Sequence, residues 1–139
     1  MMNLKGTFTA IVTPFKSDAE QSVDYDALEK LIEEQVEAGI EGIVALGTTG
    51  ESPTIAPEER TDIIRFVIEK VNGRTLVIAG TGSNCTAEVI EYSRQAKDDG
   101  VDALLIVNPY YNKPTQEGLY RHFWKIAEEV DLPQIVYNI

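Results

Sequence analysis

Cysteine and histidine each occur once in this sequence, as Cys85 and His122. A lone cysteine excludes a disulfide within the chain and suits a reducing compartment. With so few sulfur and imidazole ligands, neither a zinc cluster nor a Cys–His nucleophile pair is available. Basic residues are scarce too: 12 Lys and Arg stand against 23 Asp and Glu, a net charge of −11. Such a chain repels a phosphate backbone, which argues against nucleic acid as a partner. No apolar run approaches the roughly 20 residues of a membrane helix. The N-terminus, Met1-Met2-Asn3-Leu4-Lys5, has no signal-peptide core. These absences lead to an expectation of a cytoplasmic protein with no membrane partner.

What is present reads as one folding unit over residues 1–139, with 43% apolar and 25% charged residues. Short apolar runs alternate with amphipathic stretches. Thr7 to Val12, Ile43 to Leu46, Leu76 to Ala79, Ala103 to Val107 and Ile135 to Tyr137 are continuous enough to be strands buried on both faces of a parallel sheet. Between them lie four helical patterns. The first starts at Asp24, an N-cap, turns Leu28, Leu31, Ile32 and Val36 inward and stops at Gly39. The second has Pro57 in its first turn, an inward row of Ile64, Val67, Ile68 and Val71, and Gly73 as its stop. The third runs from about Thr86 to Lys97, with Val89, Ser93 and Ala96 inward and Gly100 closing it. The fourth runs from about Gln116 to Val130, with Leu119, Phe123, Ile126, Ala127 and Val130 inward. Glu33-Glu34, Glu58-Glu59 and Asp98-Asp99 read as solvated faces, and His122 as a packing or surface residue. This α/β alternation leaves two architectures: an open doubly wound five-stranded sheet, or the first half of an eight-stranded barrel with strands in order 1-2-3-4-5.

In either architecture, ligands gather beyond the C-terminal strand ends. The segments there are Thr13-Pro14-Phe15, Gly47-Thr48-Thr49-Gly50-Glu51-Ser52, Gly80-Thr81-Gly82-Ser83-Asn84, Asn108-Pro109-Tyr110-Tyr111-Asn112 and Tyr137-Asn138-Ile139. Hydroxyls and backbone amides crowd this rim; a carboxylate pair does not. Glycines in the Gly47–Ser52 turn can expose amide hydrogens to a small anion, or can simply serve a tight turn. Tyr110, Tyr111 and Tyr137 can relay a proton or can cap the sheet with their rings. Cys85 opens the third helix, where a structural role is expected.

Four motifs, in order along the chain, resemble dihydrodipicolinate synthase (4-hydroxy-tetrahydrodipicolinate synthase). They are Gly47-Thr48-Thr49-Gly50-Glu51-Ser52, Ala79-Gly80-Thr81-Gly82-Ser83-Asn84, Pro109-Tyr110-Tyr111-Asn112-Lys113-Pro114 followed by Gln116-Glu117-Gly118-Leu119-Tyr120, and Leu132-Pro133-Gln134-Ile135-Val136-Tyr137-Asn138-Ile139. The resemblance implies a (β/α)8 TIM barrel, of which this chain is about the first half, and a homotetramer of tight dimers. It implies a lyase that condenses pyruvate with aspartate-4-semialdehyde through a lysine Schiff base, on the diaminopimelate route to lysine. By resemblance Tyr137 relays protons, Thr48 links to Tyr111, Tyr111 reaches into a neighbouring subunit's site, and Thr49 helps hold the pyruvate carboxylate. Neither a metal nor an organic cofactor is implied.

The Schiff-base lysine of that family belongs to the strand after Tyr137, and the arginine that grips the aldehyde substrate's carboxylate lies a few residues beyond Tyr137. Neither falls within this sequence, whose seven lysines occupy other positions. The expectation is therefore an N-terminal part of a synthase, inactive alone, with unprotected edges that self-associate. The same resemblance matches Ser52, Asn84, Glu88 and Tyr110 to a lysine-effector site, with Pro57 and Arg60 standing where lysine-sensitive members carry histidines. The rivals are another pyruvate-dependent aldolase of the superfamily, such as N-acetylneuraminate lyase or a keto-deoxy sugar acid aldolase, and a non-catalytic flavodoxin-like module with strand order 2-1-3-4-5.

Overall fold

Five short strands alternate with four helices in the computed structural model, which describes residues 4–139. The order is β1 (Phe8–Ala10), α1 (Tyr25–Glu37), β2 (Gly42–Ala45), α2 (Pro57–Val71), β3 (Leu76–Gly80), α3 (Thr86–Asp99), β4 (Ala103–Val107), α4 (Gln116–Glu129) and β5 (Gln134–Tyr137). A short 3-10 turn, Ser52–Thr54, precedes α2. All four strand pairings are parallel and the sheet order is β1-β2-β3-β4-β5. That order is the half-barrel order and excludes the flavodoxin-like rival.

Local chemistry explains the element ends. The Asp24 carboxylate accepts from the Ala27 amide at 3.0 Å and starts α1. Gly39 takes φ 75° just beyond it, a conformation that glycine adopts without a Cβ penalty. Pro57 is the first residue of α2, and the Glu59 carboxylate reaches back to the Ala56 amide at 3.2 Å. Gly100, at φ 99°, ends α3 and donates to the Ala96 and Lys97 carbonyls.

The main core lies between the sheet and its helices. Leu28 and Ile32 of α1, Ile63, Val67 and Val71 of α2, Val89 and Ala96 of α3, and Ile126 of α4 meet the sheet there, all nearly inaccessible. Each such branched side chain contributes about 1.5–3 kcal/mol through burial. A second cluster covers the other face of the sheet: Val44, Ile78 and Ala103, with Phe8, Leu105 and Ile135 against them. With apolar residues on both faces, all four β2 residues are buried, as the continuous runs require.

The structure corrects three expectations. Ala127 is exposed rather than inward; α4 packs on α3 and leaves its other flank open, so Ala127 joins Tyr120, Phe123, Trp124 and Val136 along a surface groove. Asp99 is not solvated: its side chain is 2% exposed and pairs with Arg65 at 2.8 Å. β1 is shorter than its apolar run, and β2 ends one residue before its run does. In β2 the reason is local, because Leu46 takes φ 55° and leaves the extended region.

Candidate active site

The chain reversal at Leu46 begins the site. A left-handed leucine is strained by roughly 1–2 kcal/mol, and its surroundings hold it there. The Leu46 carbonyl lies against Gly80: a Cβ on Gly80 would stand 2.1 Å from that oxygen and 2.7 Å from the Gly47 nitrogen. Only glycine permits this approach. Beyond Leu46 the chain turns tightly. Gly50 donates to the Gly47 carbonyl at 3.0 Å and Glu51 to the Thr48 carbonyl at 3.1 Å. The buried Thr13 hydroxyl, at the end of the first strand segment, donates to the Gly50 carbonyl at 2.8 Å and ties the turn to β1.

These bonds use carbonyls and leave amides free. Among the described residues, neither the Thr48 nor the Thr49 N–H donates to another group of the chain. Both residues are exposed, while Gly47 and Gly50 on either side are buried. Two successive unengaged amides with adjacent hydroxyls form a concavity for a small anion.

A cleft of about 270 Å³ opens beside this turn. Thr48, Ser52, Tyr110 and Tyr137 supply its polar atoms; Leu105 and Val107 form much of its apolar wall. Tyr137 is half-buried at the end of β5. Its backbone is stitched to β4, because the Asn108 amide donates to the Tyr137 carbonyl at 2.9 Å. The Asn108 side-chain oxygen then accepts from the Ile139 amide at 3.3 Å. Thr48 and Tyr137 therefore share one apolar, partly water-shielded space, suited to a small polar ligand.

Tyr111 lies elsewhere. It is 93% exposed, outside the cleft lining, on a turn where its φ is 69°. Asn112 braces that turn: its amide donates to the Tyr110 carbonyl at 2.8 Å and its side chain to the Asn84 carbonyl at 3.0 Å. Within one chain, then, Thr48 and Tyr111 do not meet. The four residues matched to an effector site are also divided. Ser52 and Tyr110 line the cleft, whereas Glu88 accepts from the Ser83 hydroxyl at 2.7 Å at the start of α3.

The sequence placed Arg60 only at a position where lysine-sensitive members carry histidines; its burial was not expected. Arg60 is 5% exposed. It donates to the Ser52 carbonyl at 3.2 Å, to the Ser52 hydroxyl, and to the Gly80 carbonyl at 2.7 Å. Burial pushes its guanidinium below the ordinary arginine range. A signal existed, since Arg60 falls in the same helical row as Ile63, Ile64, Val67 and Val71. Thr13 was likewise read only as a strand end.

His122 is buried on α4, with its Nδ1 2.9 Å from the Thr86 hydroxyl. It lies outside the cleft lining, in keeping with a packing role. Cys85, the N-cap of α3, is exposed and also outside the cleft.

Comparison with known proteins agrees with this architecture. A 4-hydroxy-tetrahydrodipicolinate synthase of Methanocaldococcus jannaschii is 56% identical over 135 residues, which are 97% of this chain and 46% of the relative. One from Geobacter sulfurreducens is also 56% identical, with the same coverage of both chains. Among solved structures, the chloride-inhibited dihydrodipicolinate synthase of Acinetobacter baumannii, complexed with pyruvate, superposes with a TM-score of 0.95 at 52% identity. The match covers 99% of this chain and 46% of that one. The chain thus spans about half the length of the curated relatives it matches. The model of the dihydrodipicolinate synthetase family matches residues 3–139, and with the half-barrel and its rim now described, this chain belongs to that family.

Proposed function

We propose that this chain forms the pyruvate-binding side of a 4-hydroxy-tetrahydrodipicolinate synthase, which condenses pyruvate with aspartate-4-semialdehyde in lysine biosynthesis. The observation that carries the reading is that Thr48, whose amide and that of the adjacent Thr49 are unengaged, shares one apolar cleft with Tyr137. The amides and the threonine hydroxyls receive the pyruvate carboxylate. A lysine amine attacks the keto carbon; water leaves and an imine forms. Loss of a methyl proton gives the enamine, whose carbon attacks the aldehyde. Tyr137, both donor and acceptor, carries protons between these steps. The imine is the electron sink, so the reading needs no metal or organic cofactor.

No lysine of this chain lines the cleft. Lys70 and Lys125 are held protonated by hydrogen bonds to Glu29 and Glu129, which raise their pKa values, and a protonated amine is no nucleophile. The proposal therefore takes the amine from outside these 139 residues. Tyr111 enters a second copy's cleft, and the active assembly is a homotetramer built from such dimers, in the cytoplasm. Ser52, Asn84, Glu88 and Tyr110 form the proposed lysine-effector site, in which the Glu88 carboxylate attracts the effector ammonium against the repulsion of the Arg60 charge at Ser52. Activity that persists unchanged in millimolar lysine, in a chain of the relatives' full length, removes that effector assignment.

The test of the main reading is mass spectrometry after pyruvate and borohydride, which reduces any imine to a stable adduct. We expect no adduct on the 139-residue chain and one adduct per subunit on a chain of the relatives' full length. A stoichiometric adduct on the shorter chain would place the nucleophile among its own seven lysines and overturn the proposal.

A further inference from the structure

Arg60 occupies a costly place. It lies in the first turns of α2, four residues beyond the Ala56 cap, where the helix dipole opposes a cation. It is nearly inaccessible to water, yet an arginine keeps its proton. None of the ion pairs among the described residues includes it. Its partners are neutral: the Ser52 carbonyl and hydroxyl, the Gly80 carbonyl, and the Tyr92 ring 4.5 Å from the guanidinium carbon. Dipoles orient a buried cation but do not neutralise it, and an uncompensated buried charge is destabilising.

Both residues that Arg60 grips line the cleft. Ser52 closes the turn that begins at Leu46, and Gly80 is the residue against which Leu46 reverses. One planar fork therefore ties the two walls beside the free amides. Because Ser52 accepts from Arg60, its own hydroxyl proton is left for an acceptor in the cleft. Arg60 itself does not line the cleft; it reaches the cleft through Ser52 and Gly80, which do.

We infer that Arg60 is a positioning residue for the keto acid: it fixes Ser52 and Gly80, and its buried charge makes the cleft select a carboxylate over a neutral ligand of the same shape. This rests on the pyruvate reading above. The catalytic groups proposed there do not include Arg60, and the inference concerns binding alone.

The test is an amide chemical-shift titration of the isotopically labelled 139-residue chain with pyruvate and, separately, with its uncharged methyl ester. Wild type is expected to show saturable shifts at Thr48, Thr49 and Gly80, stronger for pyruvate. Arg60→Met should weaken pyruvate binding by about tenfold or more and leave the ester within about twofold. Arg60→Lys keeps the charge without the fork and should restore part of the preference for pyruvate. The inference is overturned if Arg60→Met binds pyruvate as wild type does, or if it loses both ligands equally while its spectrum stays dispersed. Should Arg60→Met not fold, Arg60→Lys decides: equal affinity for acid and ester overturns the inference. Absence of pyruvate shifts in wild type is a different pattern; it removes the pyruvate reading, and this inference with it.

Discussion

Burial sets the behaviour of His122. Its ring is nearly inaccessible, and desolvation draws its pKa below the ordinary 6.5. Nε2 has no partner among the described residues, so a proton added there would be buried without an acceptor. The unfolded chain binds that proton first. Stability is therefore full above the unfolded pKa and is lost as pH falls through about 6.5 toward the lower folded value. Urea unfolding between about pH 7.5 and 5.5 should show this loss in wild type and a flatter profile in His122→Gln. Identical profiles would remove the assignment. At this scale the sequence was half legible. The helical row pointed to Ser93 and Val89 as buried, and both are. The inward row of α2 held Arg60, whose charge argues for an exposed place; partners brought from other segments, the Ser52 and Gly80 carbonyls among them, make its burial possible.

At the scale of elements, the contact between the end of β2 and the end of β3 controls the cleft. Leu46 can reverse only because Gly80 offers no side chain, and the unengaged Thr48 and Thr49 amides follow from that reversal. Gly80→Ala would drive a Cβ into backbone rather than into a flexible side chain. We expect a loss of about 3 kcal/mol or more, read as a lower urea midpoint, together with displaced Thr48 and Thr49 amide resonances. A variant with wild-type stability would show that β2 and β3 can separate without cost. The helix stops at Gly39 and Gly100 were legible because they depend on a few neighbouring residues. The end of β2 was not, since Leu46 belongs to an apolar run and nothing local marks it as left-handed.

At the scale of the whole chain, the sheet of the described residues has two unpaired edges, β1 and β5. Val12 and Val136 are about half exposed, as is Trp124 on α4. Tyr120, Phe123, Trp124, Ala127 and Val136 form an apolar groove beside the β5 edge. Unpaired strand edges and contiguous apolar surface favour association. Light scattering of the 139-residue chain should give a mass that rises with concentration, and Trp124→Glu should reduce the rise. A monodisperse monomer over a wide concentration range would contradict this. The net charge of −11 works against association at low salt, so the effect should strengthen as salt screens it.

What the sequence determined by itself was the kind and order of the elements, the parallel sheet and the rim on which chemistry gathers. Apolar periodicity, caps and glycine stops act over a few residues, and a short stretch of chain carries their whole signal. The tertiary structure alone decided which rim residues meet. It brought Thr48 to Tyr137, left Tyr111 outside, buried Asp99 against Arg65 and slid Arg60 beneath two loops. Those outcomes depend on carbonyls, charges and empty space contributed by segments far apart in the chain, and no local pattern records where such groups will stand.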